Sequence, residues 1–249
     1  MITKAELKHI RSLHRSKGRY KHNQFMIEGR RIFQEALQVN ELLHVVYFTS
    51  AFKEVHPGIV EKIINKCPAA QEISQAEMKT MSATETPSGI LGVCAIPDPL
   101  TLVDRTEENW LFLDNISDPG NMGTLLRTAA WFGVNNISIA KDCVDIYNPK
   151  VVRGGMGVHF NISCLFNADI KQFTATHSIV GADHKGKPLS EYEITAPWVL
   201  VLGSEARGIS KSVRDNIHQF LAIPRIGTGE SLNVAVAGGI LLDKLTADN

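Results

Sequence analysis

The sequence predicts an α/β protein, and two observations carry the prediction. From residue 110 onward, short apolar runs of strand length recur between segments with helical apolar spacing, the pattern of a mostly parallel sheet covered on both faces. Before residue 98, shorter β-rich runs flank a helical segment, which makes a second and smaller α/β unit. The 249 residues suffice for two ordinary domains. A composition of 44% hydrophobic and 21% charged residues is that of a globular chain able to bury a core without staples.

Taken in order, the chain begins basic. Residues 1–31 hold nine Lys/Arg and two Asp/Glu, a balance of +7 that the remainder offsets at −7. Arg11, Arg15, Lys17, Arg19 and Lys21, interleaved with His9 and His14, suit contact with phosphate. The same segment reads equally as a solvated basic terminus. Ile27, Ile32, Phe33, Ala36 and Leu37 have helical spacing, His44–Phe48 and Ile90–Ile96 read as strands, and Gly58–Lys66 reads as a helix between them. Pro97, Pro99 and the polar run Asp104–Asn109 mark a linker. The predicted division is therefore a domain at 1–97, a linker at 98–109 and a domain at 110–249. Within the last, Trp110–Leu113, Ile137–Ala140, Ile162–Phe166, Ser178–Ala182, Trp198–Leu202 and Phe220–Ile223 read as strands, with helices at Met122–Phe132 and Ser210–Ile217.

Composition also excludes several classes. The uncharged stretch Ser231–Leu242 is far shorter than the roughly 20 residues that span a bilayer, so no membrane role is expected. Lys4, Glu6, Lys8 and Arg11 interrupt any secretory apolar run. Cys67, Cys94, Cys143 and Cys164 form no Cys-x-x-Cys pair, so no metal is expected, and they read as reduced thiols of a cytoplasmic protein. His159, His177 and His184 lack ligand spacing and read as structural.

Ligands of open parallel sheets bind beyond the carboxyl ends of the strands. Three glycine-rich polar turns follow predicted strands here: residues 114–127, 203–209 and 223–234. None contains a Gly-x-Gly-x-x-Gly fingerprint or a P-loop, so a standard dinucleotide or ATP site is excluded.

These three turns resemble the three motifs of the SpoU-type (TrmH-type) RNA ribose methyltransferases of the SPOUT superfamily. The first matches through Asn121, Gly123 and Arg127. The second matches through Gly203, Glu205 and Gly208, and the third through Ile223, Pro224, Ser231, Leu232, Asn233 and Val234. Phe25-Met-Ile-Glu-Gly-Arg-Arg31 is similar to the Glu-Gly turn of the small substrate-binding domain that many members carry. The resemblance implies an L30e-like RNA-binding domain, a catalytic domain ending in a trefoil knot, S-adenosyl-L-methionine as cofactor, and a homodimer. The knot rests on resemblance alone, since threading leaves no mark in apolar periodicity.

The resemblance also assigns site residues. Arg127, expected near the start of a helix, would orient a substrate phosphate and steady the developing alkoxide, roles that suit a guanidinium better than general base. Asn121 would line the substrate side, and its place after Pro119-Gly120 also suits a helix cap. Glu205 would pair with Arg127 or accept from a ribose hydroxyl. Ser231 and Asn233 would stand beside cofactor and ribose, and either could cap the last helix. Backbone groups at Leu202, Gly203, Ile223 and Leu232 would hold the cofactor. Arg11, Arg15, Lys17, Arg19 and Arg153 would contact RNA phosphate. Around Arg153 the sequence departs from the family: Gly154-Gly-Met-Gly157 should loosen the helix expected there.

The expected activity is methylation of a ribose 2′-hydroxyl in structured RNA, ribosomal RNA first and transfer RNA second. A catalytically silent RNA-binding protein and a small-molecule α/β enzyme are the alternatives. The first leaves the intact site set unexplained, and the second leaves the basic N-terminus unexplained.

Overall fold

The computed structural model describes residues 2–39, 42–100, 102 and 105–247. Of the predicted linker, Thr101, Val103 and Asp104 lie outside the described residues. In chain order the first elements are α1 (Lys4–Ser12), α2 (Ser16–His22), β1 (Gln24–Glu28), α3 (Arg30–Ala36), β2 (Leu43–Thr49), α4 (Ser50–Val55), α5 (Pro57–Lys66), β3 (Ala70–Ile73), α6 (Gln75–Met81) and β4 (Ile90–Ala95). There follow β5 (Trp110–Leu113), α7 (Pro119–Trp131), β6 (Asn136–Ile139), α8 (Pro149–Gly155), β7 (Ser163–Phe166), β8 (Ser178–Pro188), β9 (Trp198–Leu202), α9 (Lys211–Arg214), β10 (Gln219–Ala222) and α10 (Val234–Thr246).

The chain divides into two units, Met1–Asp98 with Asp145–Phe160, and Pro99–Val144 with Asn161–Asn249. In the first, a four-stranded sheet of order β1-β4-β2-β3 is antiparallel except for the parallel pair β2–β3. Its core includes Ile10, Leu13, Met26, Tyr47, Met78, Leu91 and Val93. Capping boxes start two of its helices. Thr3 with Glu6 opens α1, and Ser74 with Glu77 opens α6, so the first orphan N–H groups are met by side chains. Ile27 is not part of a helix: it lies in β1, and Gly29 at φ 103° turns the chain before α3 begins.

The segment 145–160 departs from the predicted division, which placed it in the C-terminal domain. Buried Arg19 holds its start, donating from Nε and Nη2 to Asp145 Oδ2 at 2.9 and 2.5 Å and from Nη1 to Leu13 O at 2.9 Å. The glycines that should loosen α8 have packing reasons instead. A Cβ on Gly155 would stand 2.8 Å from the ring of buried His159, and one on Gly157 would stand 2.7 Å from Glu35 Cγ.

The second unit is a six-stranded, all-parallel sheet of order β10-β8-β9-β5-β6-β7. Strands β5 and β9 are buried along their whole length, as continuous apolar runs in a sheet covered on both faces should be, and β6 is equally buried although Asn136 and Ser138 alternate with its isoleucines. Strand β8 outruns its expected end at Ala182 because its pairing skips five residues, with Phe220 opposite Gly181 and Leu221 opposite Lys187. The expected helix at Ser210–Ile217 shortens to α9. Helix α10 lies close against α7 and β9 because residue 238 is glycine: a Cβ there would be 2.6 Å from Leu125 and 2.8 Å from Leu202.

Candidate active site

The site is built at the carboxyl ends of β5, β9 and β10. After β5, Asp118 is the cap of α7, its Oδ1 accepting from Asn121 N at 2.8 Å, with Pro119 in the first helical position. Asn121 is therefore not the cap. Its backbone is tied down by Asp118, which leaves its side-chain amide for the site.

After β9 the chain makes a tight turn in which Ser204 and Gly208 exchange backbone hydrogen bonds of 3.1 and 2.7 Å. The glycines are required. Gly208 has φ +66°, and a Cβ on Gly203 would stand 2.4 Å from the Gly208 carbonyl carbon. Glu205 sits on this turn. Asn233 caps α10, its Oδ1 accepting from Ala235 N and Val236 N at 3.0 and 3.3 Å, which sets aside Ser231 as the cap.

These placements close a small network. Glu205 Oε1 accepts from Asn121 Nδ2 at 3.1 Å, from Asn233 Nδ2 at 2.5 Å and from Val234 N at 3.1 Å. Asn233 Nδ2 also reaches Asn121 Oδ1 at 2.9 Å. One residue from each of the three turns thus meets the others, far apart in sequence and joined by amide–carboxylate bonds of the stronger, charge-assisted kind.

Of the two roles expected of Glu205, the pairing with Arg127 is not made. Arg127 is exposed, lies about 9 Å along α7 from Asn121, and its guanidinium makes no hydrogen bond or ion pair among the described residues. Its guanidinium shares an i, i+4 face with Trp131, which is 82% exposed. Ser231 and Leu232 are also exposed, Leu202 is fully buried, and Gly203 and Ile223 are half-buried. Among the described residues, positions 225–232 are exposed and make no backbone–backbone hydrogen bond. Arg225 alone reaches back, to Gly229 O at 2.9 Å.

The candidate RNA contacts divide. Arg11, Arg15 and Lys17 lie exposed on or beside α1 and α2. Arg19 does not belong with them, because it is 2% exposed and committed to Asp145. Arg153 on α8 is half-buried, with Nη1 enclosed and unpartnered. Sequence reasoning missed Asp118, although an acid immediately before a proline at a helix start is a readable cap signal. It also missed Val234 N, a backbone donor with no signature.

An all-parallel sheet whose strand-end loops bring Asn121, Glu205 and Asn233 together defines a loop-built α/β enzyme site. Residues 108–243 match the family model described as the SpoU rRNA methylase family, and residues 4–92 match that of the MRM3-like substrate binding domain. The chain belongs to the SpoU rRNA methylase family. It is 29% identical to the 23S rRNA (guanosine(2553)-2′-O)-methyltransferase RlmP of Bacillus subtilis, over 95% of this chain and 94% of that one. It is 32% identical to the mitochondrial rRNA methyltransferase 3 of Xenopus tropicalis, over 74% of this chain and 48% of that protein. A solved structure of a TrmH-family protein from Porphyromonas gingivalis, assigned as an RNA methyltransferase, superposes over 100% of both chains with a TM-score of 0.86 at 30% identity. An AdoMet-bound rRNA methyltransferase from Sinorhizobium meliloti shares the fold, with a TM-score of 0.86 at 24% identity over 100% of this chain and 96% of that one.

Proposed function

We propose that this protein methylates a ribose 2′-hydroxyl of ribosomal RNA with S-adenosylmethionine as methyl donor. The observation that carries the reading is the Asn121–Glu205–Asn233 network with the unpaired Arg127 guanidinium on the same helix as Asn121. The family and the rRNA 2′-O-methyltransferase named among its relatives support it.

The residues present fit the cofactor. Exposed backbone across 225–232 that no other backbone group meets, with Leu202, Gly203 and Ile223 at the neighbouring strand ends, suits a ligand recognised through main chain. When bound, S-adenosylmethionine supplies the electrophilic methyl carbon. Arg127, free of internal partners, holds a substrate phosphate and steadies the negative charge that develops on the 2′-oxygen. Glu205 fixes both asparagine amides, so the polar groups facing the ribose are oriented before substrate arrives. The exposed Arg11, Arg15 and Lys17 add sequence-independent phosphate contacts.

The same reading includes a homodimer and a cytoplasmic location. Exposed Trp131, Val236 and Ile240, at 82%, 52% and 39%, lie on α7 and α10, which pack together and offer an apolar face to a second copy. Light scattering at micromolar concentration should give twice the 27.4 kDa chain mass. All four cysteines are free thiols, which supports a reducing compartment. The deciding experiment for the activity is transfer of labelled methyl to ribosomal and transfer RNA, with the labelled nucleotide isolated.

A further inference from the structure

Asp114, the first residue after β5, is 3% exposed. Its backbone N–H donates to Leu202 O at 2.9 Å, and its Oδ2 accepts from Ser210 N at 2.6 Å. Leu202 and Ser210 are the residues on either side of the 203–209 turn. One residue therefore fastens both ends of the turn that carries Glu205. Between those ends the turn is braced by the Ser204–Gly208 pair and by Ala206 N donating to Ser204 Oγ at 3.3 Å. The other carboxyl oxygen of Asp114, Oδ1, accepts from Asn115 Nδ2 at 3.0 Å.

Burying a carboxyl group is unfavourable unless its oxygens are met, and among the described residues Asp114 forms no ion pair. Strand packing at this position would be served as well by an apolar side chain. A carboxyl oxygen does what an apolar group cannot: it accepts from the Ser210 N–H and so sets where the far end of the turn leaves the sheet.

We propose that Asp114 is a positioning residue, which acts by holding the 203–209 turn so that Glu205 Oε1 stays within reach of Asn121 and Asn233. The inference rests on the reading of Glu205 as part of the reactive site, but the restraint on the turn is measurable without any activity.

The experiment compares Asp114→Asn and Asp114→Ala in the full chain. Hydrogen exchange of the amides of residues 204–210 should quicken about tenfold or more in the alanine variant, the effect of losing one strong hydrogen bond, and less in the asparagine variant, which retains an acceptor oxygen. Methyl transfer then supplies a double-mutant cycle with Glu205→Ala. Asp114→Ala should lower kcat about tenfold or more beside Glu205 and less than about threefold in its absence, because a residue acting through Glu205 has little left to do once Glu205 is gone. A merely structural role predicts equal losses in both backgrounds. Unchanged exchange in both variants, or equal kcat losses with and without Glu205, would overturn the proposal. Quickened exchange in a protein that methylates no RNA would leave the restraint standing and remove the proposed function instead.

Discussion

Asn233 Nδ2 lies 2.5 Å from Glu205 Oε1, and that bond couples the cap of α10 to the turn after β9. The same carboxylate oxygen holds Asn121, so Glu205 is the hub through which the three motif turns are registered. Its replacement should follow the chemistry of acceptance. Glu205→Gln keeps an oxygen for the three donors but loses the charge, so kcat should fall about tenfold. Glu205→Ala removes the acceptor and should cost about a hundredfold or more. Single-turnover rates at saturating cofactor and RNA check the order, and equal losses would mean that acceptance is not what matters.

Arg127 has no internal partner to lose, so its removal should leave the fold intact. Arg127→Ala is expected to abolish methyl transfer while S-adenosylmethionine affinity, measured by calorimetry, stays within about threefold. A parallel loss of cofactor binding would place the guanidinium on the cofactor side.

The basic helices call for substitution rather than truncation. Ile10, Leu13 and Arg19 are buried, so deleting residues 1–22 would open the core of the first unit. Neutralising the exposed Arg11, Arg15, Lys17 and Lys21 to Gln should instead weaken RNA binding and flatten its salt dependence. The log–log slope should shrink by roughly 0.7–0.9 for each phosphate that is no longer neutralised. Filter binding at several salt concentrations reads this directly, and an unchanged slope would assign RNA binding to another surface.

Burial pushes the pKa of His159 down to about 4, and its Nε2 lies 2.9 Å from Ile146 O. The unfolded chain binds that proton near pH 6.5, so between those values the unfolded state holds more protons and stability falls as pH drops. The His159 contribution is complete above about pH 6.5, and about 2 kcal/mol of it should be lost by pH 5. Urea unfolding at pH 7 and 5 should show a difference smaller by about that amount in His159→Gln. An equal pH dependence in both proteins would mean that the ring is protonated when folded.

Much of this architecture is legible in the sequence because apolar runs are local. Trp110–Leu113 and Trp198–Leu202 are strands over the same residues whose continuous hydrophobicity predicts them, since both faces are buried. The polar residues 183–188 carry no hint that β8 continues, because that part pairs through a break in register. Nor can local pattern assign segment 145–160, whose place depends on Arg19 reaching Asp145 across the sequence. At the site, residue types point to Asn121, Glu205 and Asn233 but not to their partners. A carboxylate near an arginine in a motif reads as an ion pair, whereas here two amides and a backbone N–H take the oxygen. Asp114 leaves no signature for the same reason, since both ends of the turn it holds are backbone groups.

Ribose methylation of ribosomal RNA is tested most directly by the position of the transferred methyl group. The purified protein, labelled S-adenosylmethionine and separate pools of unmodified ribosomal and transfer RNA would be incubated, digested to nucleosides and analysed by mass spectrometry. Label is expected in ribosomal RNA, on the ribose of a single nucleotide, and none in the Arg127→Ala reaction. Label on a base, label only in transfer RNA, or no transfer to either pool would contradict the proposed activity.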